Sequence, residues 1–169
     1  ILEGLLDHGA EMGLIPMDTT TYRDLLDARI MGLLMPRQSE LARRFYEIYE
    51  AQGPSAATDH YYKLSKASNY IRMDRIRKNW MWKLPTRNGE LEITINMSKP
   101  EKDPREIAAQ KKITSGSYPK CLLCAENAGF QGHLNHPARQ NHRIIPFKTR
   151  DENWFLQFSP YSYYEEHCI

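Results

Sequence analysis

Apolar side chains recur with a helical period through the first 73 residues, and the breaks between the runs predict four helices. Gly13 is typical of a helix end, Pro36 interrupts the second run, and Gly53 closes the third. A fourth helix is predicted over 54–70. The N-terminal part of the chain is therefore predicted to be helical throughout.

Two of these helices have candidate N-terminal caps. Thr21 followed by Asp24 resembles a capping box with Asp in place of the usual Glu, and Ser39 can cap the next helix. The apolar face of that next helix is predicted to contain Leu41, Phe45, Ile48 and Tyr49. This spacing of aromatic residues favours core packing over a cofactor site.

Near residue 78 the apolar period changes from that of a helix to that of a strand. The alternating positions are Trp80, Trp82 and Leu84, and then Leu91, Ile93, Ile95 and Met97. Asn88-Gly89 between the two runs predicts a hairpin turn. A short helix is predicted over 103–113, with Asp103 as its N-cap, Pro104 at its first position and Glu106 at its third.

The last third of the chain predicts more strands. They are expected at 143–147, 154–158 and 161–169, with a polar turn at 149–153. The fold class is therefore predicted as α+β, with a helical N-terminal region over 1–73. A mainly antiparallel sheet region follows over 74–169 and is expected to be incomplete at its C-terminal end.

Composition narrows the function classes. The 169 residues are 41% hydrophobic with a net charge of +2, which argues against general nucleic-acid binding. No apolar run approaches the roughly 20 residues of a membrane span, and the acidic, amphipathic start is unlike a signal peptide. Three cysteines fit a reducing cytosol. Because the chain starts without Met and stops inside a predicted strand, we expect a fragment of a longer protein.

Cys121 and Cys124 have the spacing of a metal knuckle, although one such pair supplies only half of a tetrahedral site. The alternative is a pair of reduced thiols. His136 and His142 complete a near match to zinc-finger spacing, but Pro137 interrupts the helix that a finger needs. The zinc finger is therefore rejected, and the remaining ligands are left open.

Two polar stretches are candidate anion sites. Lys99 and Lys102 lie in a loop before a predicted helix start, which suits phosphate but also suits an ordinary capped loop with solvated lysines. Donors for phosphate or sugar oxygens follow the cysteines, at Asn135, Arg139, Asn141 and Arg143. The alternative for this second set is a surface turn with salt bridges.

Several long stretches resemble the bacterial class II galactose-1-phosphate (UDP-glucose–hexose-1-phosphate) uridylyltransferases. They cover 57–59, 62–66, 68–72, 91–96, 98–104, 118–124, 135–145, 159–161 and 166–169. The resemblance as a whole spans nearly the entire chain, from about residue 14 onward. Local departures are His133, where the family form has Arg, and Glu165, where it has Asn. The resemblance implies exchange of a uridylyl group between UDP-glucose and galactose 1-phosphate, and the start of a histidine-triad-like half-barrel.

The resemblance also implies roles for particular residues. Cys121 and Cys124 match a paired-cysteine metal knuckle. The loop at Lys99 and Lys102 corresponds to a basic loop that meets the phosphates, and 143–146 would be a strand beside the uridine. The reaction would proceed through a uridylyl-histidine in a His-x-His motif, which does not occur in this chain. No catalytic residue is therefore expected here, and the fragment alone is expected to be inactive.

The resemblance implies UDP-glucose, UDP-galactose and hexose 1-phosphates as substrates, in the cytoplasm. The metal knuckle allows zinc, in a structural rather than a catalytic role, and no organic cofactor, nucleic acid or membrane is expected as a partner. The sequence allows a homodimer but does not require one. The rival hypotheses are a non-catalytic zinc-knuckle binding module and a helical scaffold that binds no ligand.

Overall fold

A computed structural model describes residues 1–99, 103–113, 124–133, 139–164 and 166–168. The helices are α1 (Leu2–Glu11), α2 (Thr20–Leu34), α3 (Gln38–Gln52), α4 (Pro54–Ala67), α5 (Met73–Ile76) and α6 (Pro104–Gln110), with a 3-10 turn at Ala125–Asn127. The strands are β1 (Trp80–Thr86), β2 (Gly89–Ile95), β3 (Ile145–Thr149) and β4 (Glu152–Leu156). Helices followed by antiparallel strands confirm the predicted α+β class. In the described ranges, no helix combines the length and the apolar character that a membrane crossing requires.

Two predicted helix ends are confirmed by their geometry. After α1, Gly13 has a φ of 72°, and the Leu14 N–H donates to the Gly9 carbonyl at 2.9 Å. The Gly13 N–H donates to the Ala10 carbonyl at 3.0 Å, which completes a Schellman motif. Gly53, at a φ of 92°, separates α3 from α4. Glycine accepts both positive φ values without the steric cost of a Cβ atom.

The two caps predicted within the first 73 residues are wrong. The cap position of α2 is Thr19, and its side chain accepts no hydrogen bond from the start of the helix. The hydroxyls of Thr19 and Thr21 both donate to the Glu106 carboxylate instead. In α3, Arg37 rather than Ser39 occupies the cap position, and its N–H donates to the carboxylate of the residue three positions on, at 2.9 Å. Tertiary partners for the threonine hydroxyls override the local capping preference.

Strands β1 and β2 form the predicted hairpin. The apolar residues of the two strands face one another across the pair, as Trp80 with Ile95, Trp82 with Ile93 and Leu84 with Leu91. The chain turns at Arg87 and Asn88, and Gly89, at a φ of 125°, is already the first residue of β2. Both strands are largely exposed in this structure.

Strands β3 and β4 form a second, separate hairpin, with Ile145 opposite Leu156 and Thr149 opposite Glu152. Compared with the predicted strands 143–147 and 154–158, β3 begins and ends two residues later in the chain, and β4 begins and ends two residues earlier. The predicted third strand is wrong for the described part of 161–169, where the only pairing is an antiparallel bridge between Phe158 and Cys168.

The hydrophobic core joins the helical region to the second hairpin. Its buried members are Leu41, Phe45, Ile48, Ala57, Tyr61, Tyr70, Ile71, Ile145 and Phe158. The ring of Tyr61 lies 4.9 Å from that of Phe158, centroid to centroid. Because residues about 100 positions apart share this core, α3 and α4 fix where the chain runs immediately before β3.

Candidate functional site

The candidate site is the loop at 139–144, which lies against α3 and α4. The Tyr61 hydroxyl donates to the Arg143 carbonyl at 2.6 Å. The Gln38 side chain binds both backbone groups of Ile144, accepting from its N–H at 3.0 Å and donating to its carbonyl. Two side chains of the helical region therefore satisfy the loop backbone and hold it in one place.

Arg143, a predicted substrate ligand, is half-buried and tied to backbone carbonyls. Its Nε donates to the Pro36 carbonyl at 2.8 Å, and its Nη1 donates to the carbonyls of Gln140 and His142 at 2.7 and 2.8 Å. Burial lowers the pKa of this guanidinium. Three carbonyl acceptors fix the orientation of the side chain without neutralising its charge.

Two other predicted ligands from the same loop are buried. Asn141 donates to the Ser68 carbonyl at 3.0 Å through its Nδ2. Arg139 is buried, and its backbone N–H and carbonyl pair with Phe130 and Gly129 respectively. These contacts bring Arg139, Asn141 and Arg143 together in one loop, whereas the predicted ligand Asn135 lies outside the described residues.

His142 lies between these residues and is the most buried member of the loop, at 1% exposure. Its ring stacks on that of Tyr70, with centroids 4.5 Å apart and planes at 11°. Burial, together with the neighbouring charges of Arg139 and Arg143, lowers the pKa of His142 to about 3, and Gln157 opposes the shift. His142 is therefore neutral near pH 7 and packed as part of the core.

The position of His142 bears on the zinc-finger hypothesis. A finger requires His142 in a helix, but the residue precedes strand β3, which begins at Ile145. Cys124 is half-buried at the start of the 3-10 turn, and Cys121 and His136 lie outside the described residues. No group of three or more His, Cys, Asp or Glu side chains that could hold a metal occurs in the described ranges. The described donors alone do not complete a metal site.

The predicted lysine loop is described only at its beginning. Lys99 is exposed, and Lys102 lies outside the described residues. The preceding residue is fixed, because the Ser98 N–H donates to the side-chain oxygens of Asn79 and Asn96 at 3.1 and 3.0 Å. At the start of α6 the Asp103 carboxylate accepts from a backbone N–H at 2.7 Å, which confirms its predicted capping role.

Sequence reasoning missed a buried charged network between α2 and the end of α4. The Asp27 carboxylate, at 2% exposure, accepts from Arg72 and, at 2.6 Å, from Asn69. Burial raises the pKa of Asp27, although the charge of Arg72 opposes this shift. No sequence signal identifies the network, because its members lie about 45 positions apart and meet only after packing.

Sequence reasoning also missed Arg29 and Arg37. With Arg143 and seven other residues they line a cavity of about 380 Å³ between α2, the start of α3 and the 139–143 loop. Among the described residues, none that lines this cavity is acidic. Single exposed arginines carry no periodic or motif signal, so only the tertiary structure shows that they converge.

The family described as galactose-1-phosphate uridyl transferase, N-terminal domain, matches residues 7–169. Similar proteins named galactose-1-phosphate uridylyltransferase occur in Caldanaerobacter subterraneus subsp. tengcongensis at 65% identity, Halalkalibacterium halodurans at 57% and Bacillus subtilis at 56%. Each alignment covers 100% of this chain but 32%, 33% and 33% of the respective relative. The chain thus spans about a third of the length of these relatives. No solved structure matches the chain.

Proposed function

The chain belongs to the galactose-1-phosphate uridyl transferase family, and we propose that it is the N-terminal part of an enzyme that exchanges a uridylyl group between UDP-glucose and galactose 1-phosphate. The observation that carries this proposal is the family match over residues 7–169, supported by relatives of that name at 56–65% identity. The non-catalytic zinc-knuckle alternative is not favoured.

The reaction would take place in two transfers. A histidine nitrogen attacks the α-phosphorus of UDP-glucose and glucose 1-phosphate leaves, which gives a uridylyl-histidine. A phosphate oxygen of galactose 1-phosphate then attacks the same phosphorus, and UDP-galactose leaves as the histidine is released. The nucleophile would lie outside this chain, since no His-x-His occurs in the sequence.

The contribution of this chain would be to bind substrate phosphates and sugars. The proposed ligands are Lys99, Lys102, Asn135, Arg139, Asn141 and Arg143. The fixed guanidinium of Arg143 supports this role, because a preoriented donor needs little reorganisation when charge develops on a phosphoryl group. Within the same proposal, 74–169 contains the opening strands of a histidine-triad-like half-barrel, and 1–73 is a helical region packed on it.

The proposal is tested on the longer parent protein. Mixed with UDP-glucose and galactose 1-phosphate, it should form UDP-galactose and glucose 1-phosphate, and a label on the α-phosphorus of UDP-glucose should be trapped on a histidine. Arg143→Lys should lower kcat/KM at least about tenfold, because Lys cannot reproduce the planar set of donors. Arg150→Lys, in the exposed turn between β3 and β4, is the matched control and should remain near the parent rate. Absence of both exchange and label would reject the proposal.

A structural zinc ion bound by Cys121 and Cys124 is part of the same proposal. Its support is the two-residue spacing of the thiols, since two further ligands would have to come from elsewhere. Replacement of zinc by cobalt should give thiolate-to-metal absorption that Cys121→Ser and Cys124→Ser abolish and Cys168→Ser retains. Equal metal content in the unsubstituted protein and in the three cysteine variants would reject the site.

The proposed setting is a cytoplasmic enzyme of galactose metabolism that acts on UDP-sugars and hexose 1-phosphates. A homodimer is proposed as its assembly. Light scattering on the parent protein would test this state, and a mass equal to that of one polypeptide would reject it.

A further inference from the structure

From the arrangement of charge around the cavity between α2, α3 and the 139–143 loop, we infer that the cavity is a binding site for a phosphoryl anion. We call it the arginine cavity, after Arg29, Arg37 and Arg143, which line it. Two of the three arginines come from the helical region. Because Arg143 is also one of the proposed substrate ligands, the inference rests on the proposed function at that residue and extends the site to Arg29 and Arg37. It is tested by anion binding alone, so its failure is distinguishable from failure of the uridylyl transfer.

The first observation is uncompensated positive charge. Seven other arginines of the described chain form ion pairs with carboxylates, namely Arg23, Arg43, Arg44, Arg72, Arg75, Arg77 and Arg105. No such pair with a described residue is formed by Arg29, Arg37 or Arg143, and no acidic residue lines the cavity. Three guanidinium groups without a described ion-pair partner lie around one concave surface, and the nearby Glu40 carboxylate binds the Arg37 backbone N–H. Together the three create a local positive potential that favours an anion.

The second observation is that the cavity is a built feature. The Arg143 guanidinium is held by three backbone carbonyls at 2.7–2.8 Å. Across from it, α2 approaches the loop so closely that a Cβ atom on Gly32 would lie 2.9 Å from the Gln140 carbonyl oxygen. One donor group and the position of one wall are thus fixed by packing, whereas Arg29 and Arg37 are exposed and can move toward a ligand.

The chemistry and the size of the cavity point to a phosphoryl group. Guanidinium groups bind phosphate oxygens in a bidentate manner, which is open to Arg29 and Arg37. Arg143 donates its Nε and Nη1 protons to backbone carbonyls and can offer its Nη2 to a phosphate oxygen. The three positive charges together match the charge of a phosphate or pyrophosphate. His142, which also lines the cavity, is neutral at physiological pH and adds no charge. A volume of about 380 Å³ can hold a sugar phosphate or a diphosphate, at the lower end of known ligand sites.

The test measures binding of inorganic phosphate, pyrophosphate and UDP to the 169-residue chain by calorimetry at constant ionic strength, with chloride as the reference anion. Arg29→Gln/Arg37→Gln removes two charges from the cavity. The matched control, Arg43→Gln/Arg44→Gln, removes two exposed charges from α3 that do not line it. The cavity variant should bind pyrophosphate about tenfold or more weakly, whereas the control should bind as the wild type does.

The resonance of the Arg143 Nε–H group reports independently on the cavity. It should shift when pyrophosphate is added to the wild-type chain, and circular dichroism should confirm that all variants are folded. If the wild type binds UDP more tightly than pyrophosphate and the cavity variant loses this preference, the ligand is a nucleotide. If the wild type binds UDP and pyrophosphate equally, the cavity recognises the phosphoryl group alone. No phosphate or pyrophosphate binding by the wild type, or equal weakening in both variants, would overturn the inference. Neither result depends on transferase activity.

Discussion

Replacement of His142 by Phe is expected to remove much of the acid sensitivity of the fold. The histidine ring stacks on Tyr70 and is almost completely buried, so a phenyl ring can occupy a similar place without titrating. In the wild type, burial lowers the pKa of His142 from 6.5 to about 3. Protonation of His142 is therefore easier in the unfolded chain than in the folded one.

The sign and the magnitude follow from this difference in pKa. Between the two values the unfolded state binds more protons, so the free energy of unfolding falls as the pH falls through 6.5 toward about 3. At pH 8, His142 is neutral in both the folded and the unfolded chain, so its titration takes no stability from the fold. At pH 5, about 1.5 units below the unfolded value, roughly 2 kcal/mol has been lost, at about 1.36 kcal/mol per unit.

Urea unfolding followed by circular dichroism at pH 8 and pH 5 measures this loss directly. The wild type should lose about 2 kcal/mol more than His142→Phe over this interval. His8→Gln, an exposed position on α1, is the control and should retain the wild-type pH dependence. If His142→Phe shows the full wild-type loss, or if the His142 ring titrates by NMR with a midpoint near neutral pH, burial of a neutral imidazole is the wrong explanation.

Three further substitutions test the contacts that position the loop. Tyr61→Phe removes a buried donor to a loop carbonyl and should lower the free energy of unfolding by about 1–3 kcal/mol in urea titrations, while Tyr49→Phe, at an exposed ring, should change it little. Gly32→Ala places a methyl group against the loop backbone and should cost about 1–3 kcal/mol in the same titration; Gly4→Ala, with open space around the new atom, should be neutral or stabilising, and equal effects at the two glycines would contradict the close approach. Glu106→Gln weakens the acceptor of two threonine hydroxyls and should lower the melting temperature; an unchanged value would show that these bonds add no stability.

The parts of the fold that could be predicted from the sequence depend on neighbours along the chain. Gly13 and Gly53 end helices because a positive φ is a local requirement, and the β1–β2 hairpin follows from alternation around a turn. The start of α2 was predicted wrongly because the partners of its threonine hydroxyls are distant. The hydroxyls of Thr19 and Thr21 bind Glu106, about 85 residues away, and no window of local sequence contains that information.

The same distinction applies to the candidate site. The sequence predicts which hydrogen-bond donors the 139–143 loop contains, since a short run of Arg and Asn is a local signal. The orientation of those side chains could not be predicted, because it is set by Pro36, Gln38 and Tyr61 in the helical region. Nor could the sequence indicate that Arg29 and Arg37 share a cavity with Arg143, since the pairing requires α2 and the loop to meet.

The helical region therefore has a direct part in the site. Gln38, Tyr61 and Ser68 each hydrogen-bond the loop at 139–144, and the core of α3 and α4 includes Ile145 at the start of β3. A change in any of these helix contacts moves the loop, and with it the guanidinium of Arg143, without altering the residues that would touch a ligand. Substitutions more than 70 residues upstream should consequently alter anion binding at the loop, and Tyr61→Phe, measured with pyrophosphate, separates this effect from a loss of charge.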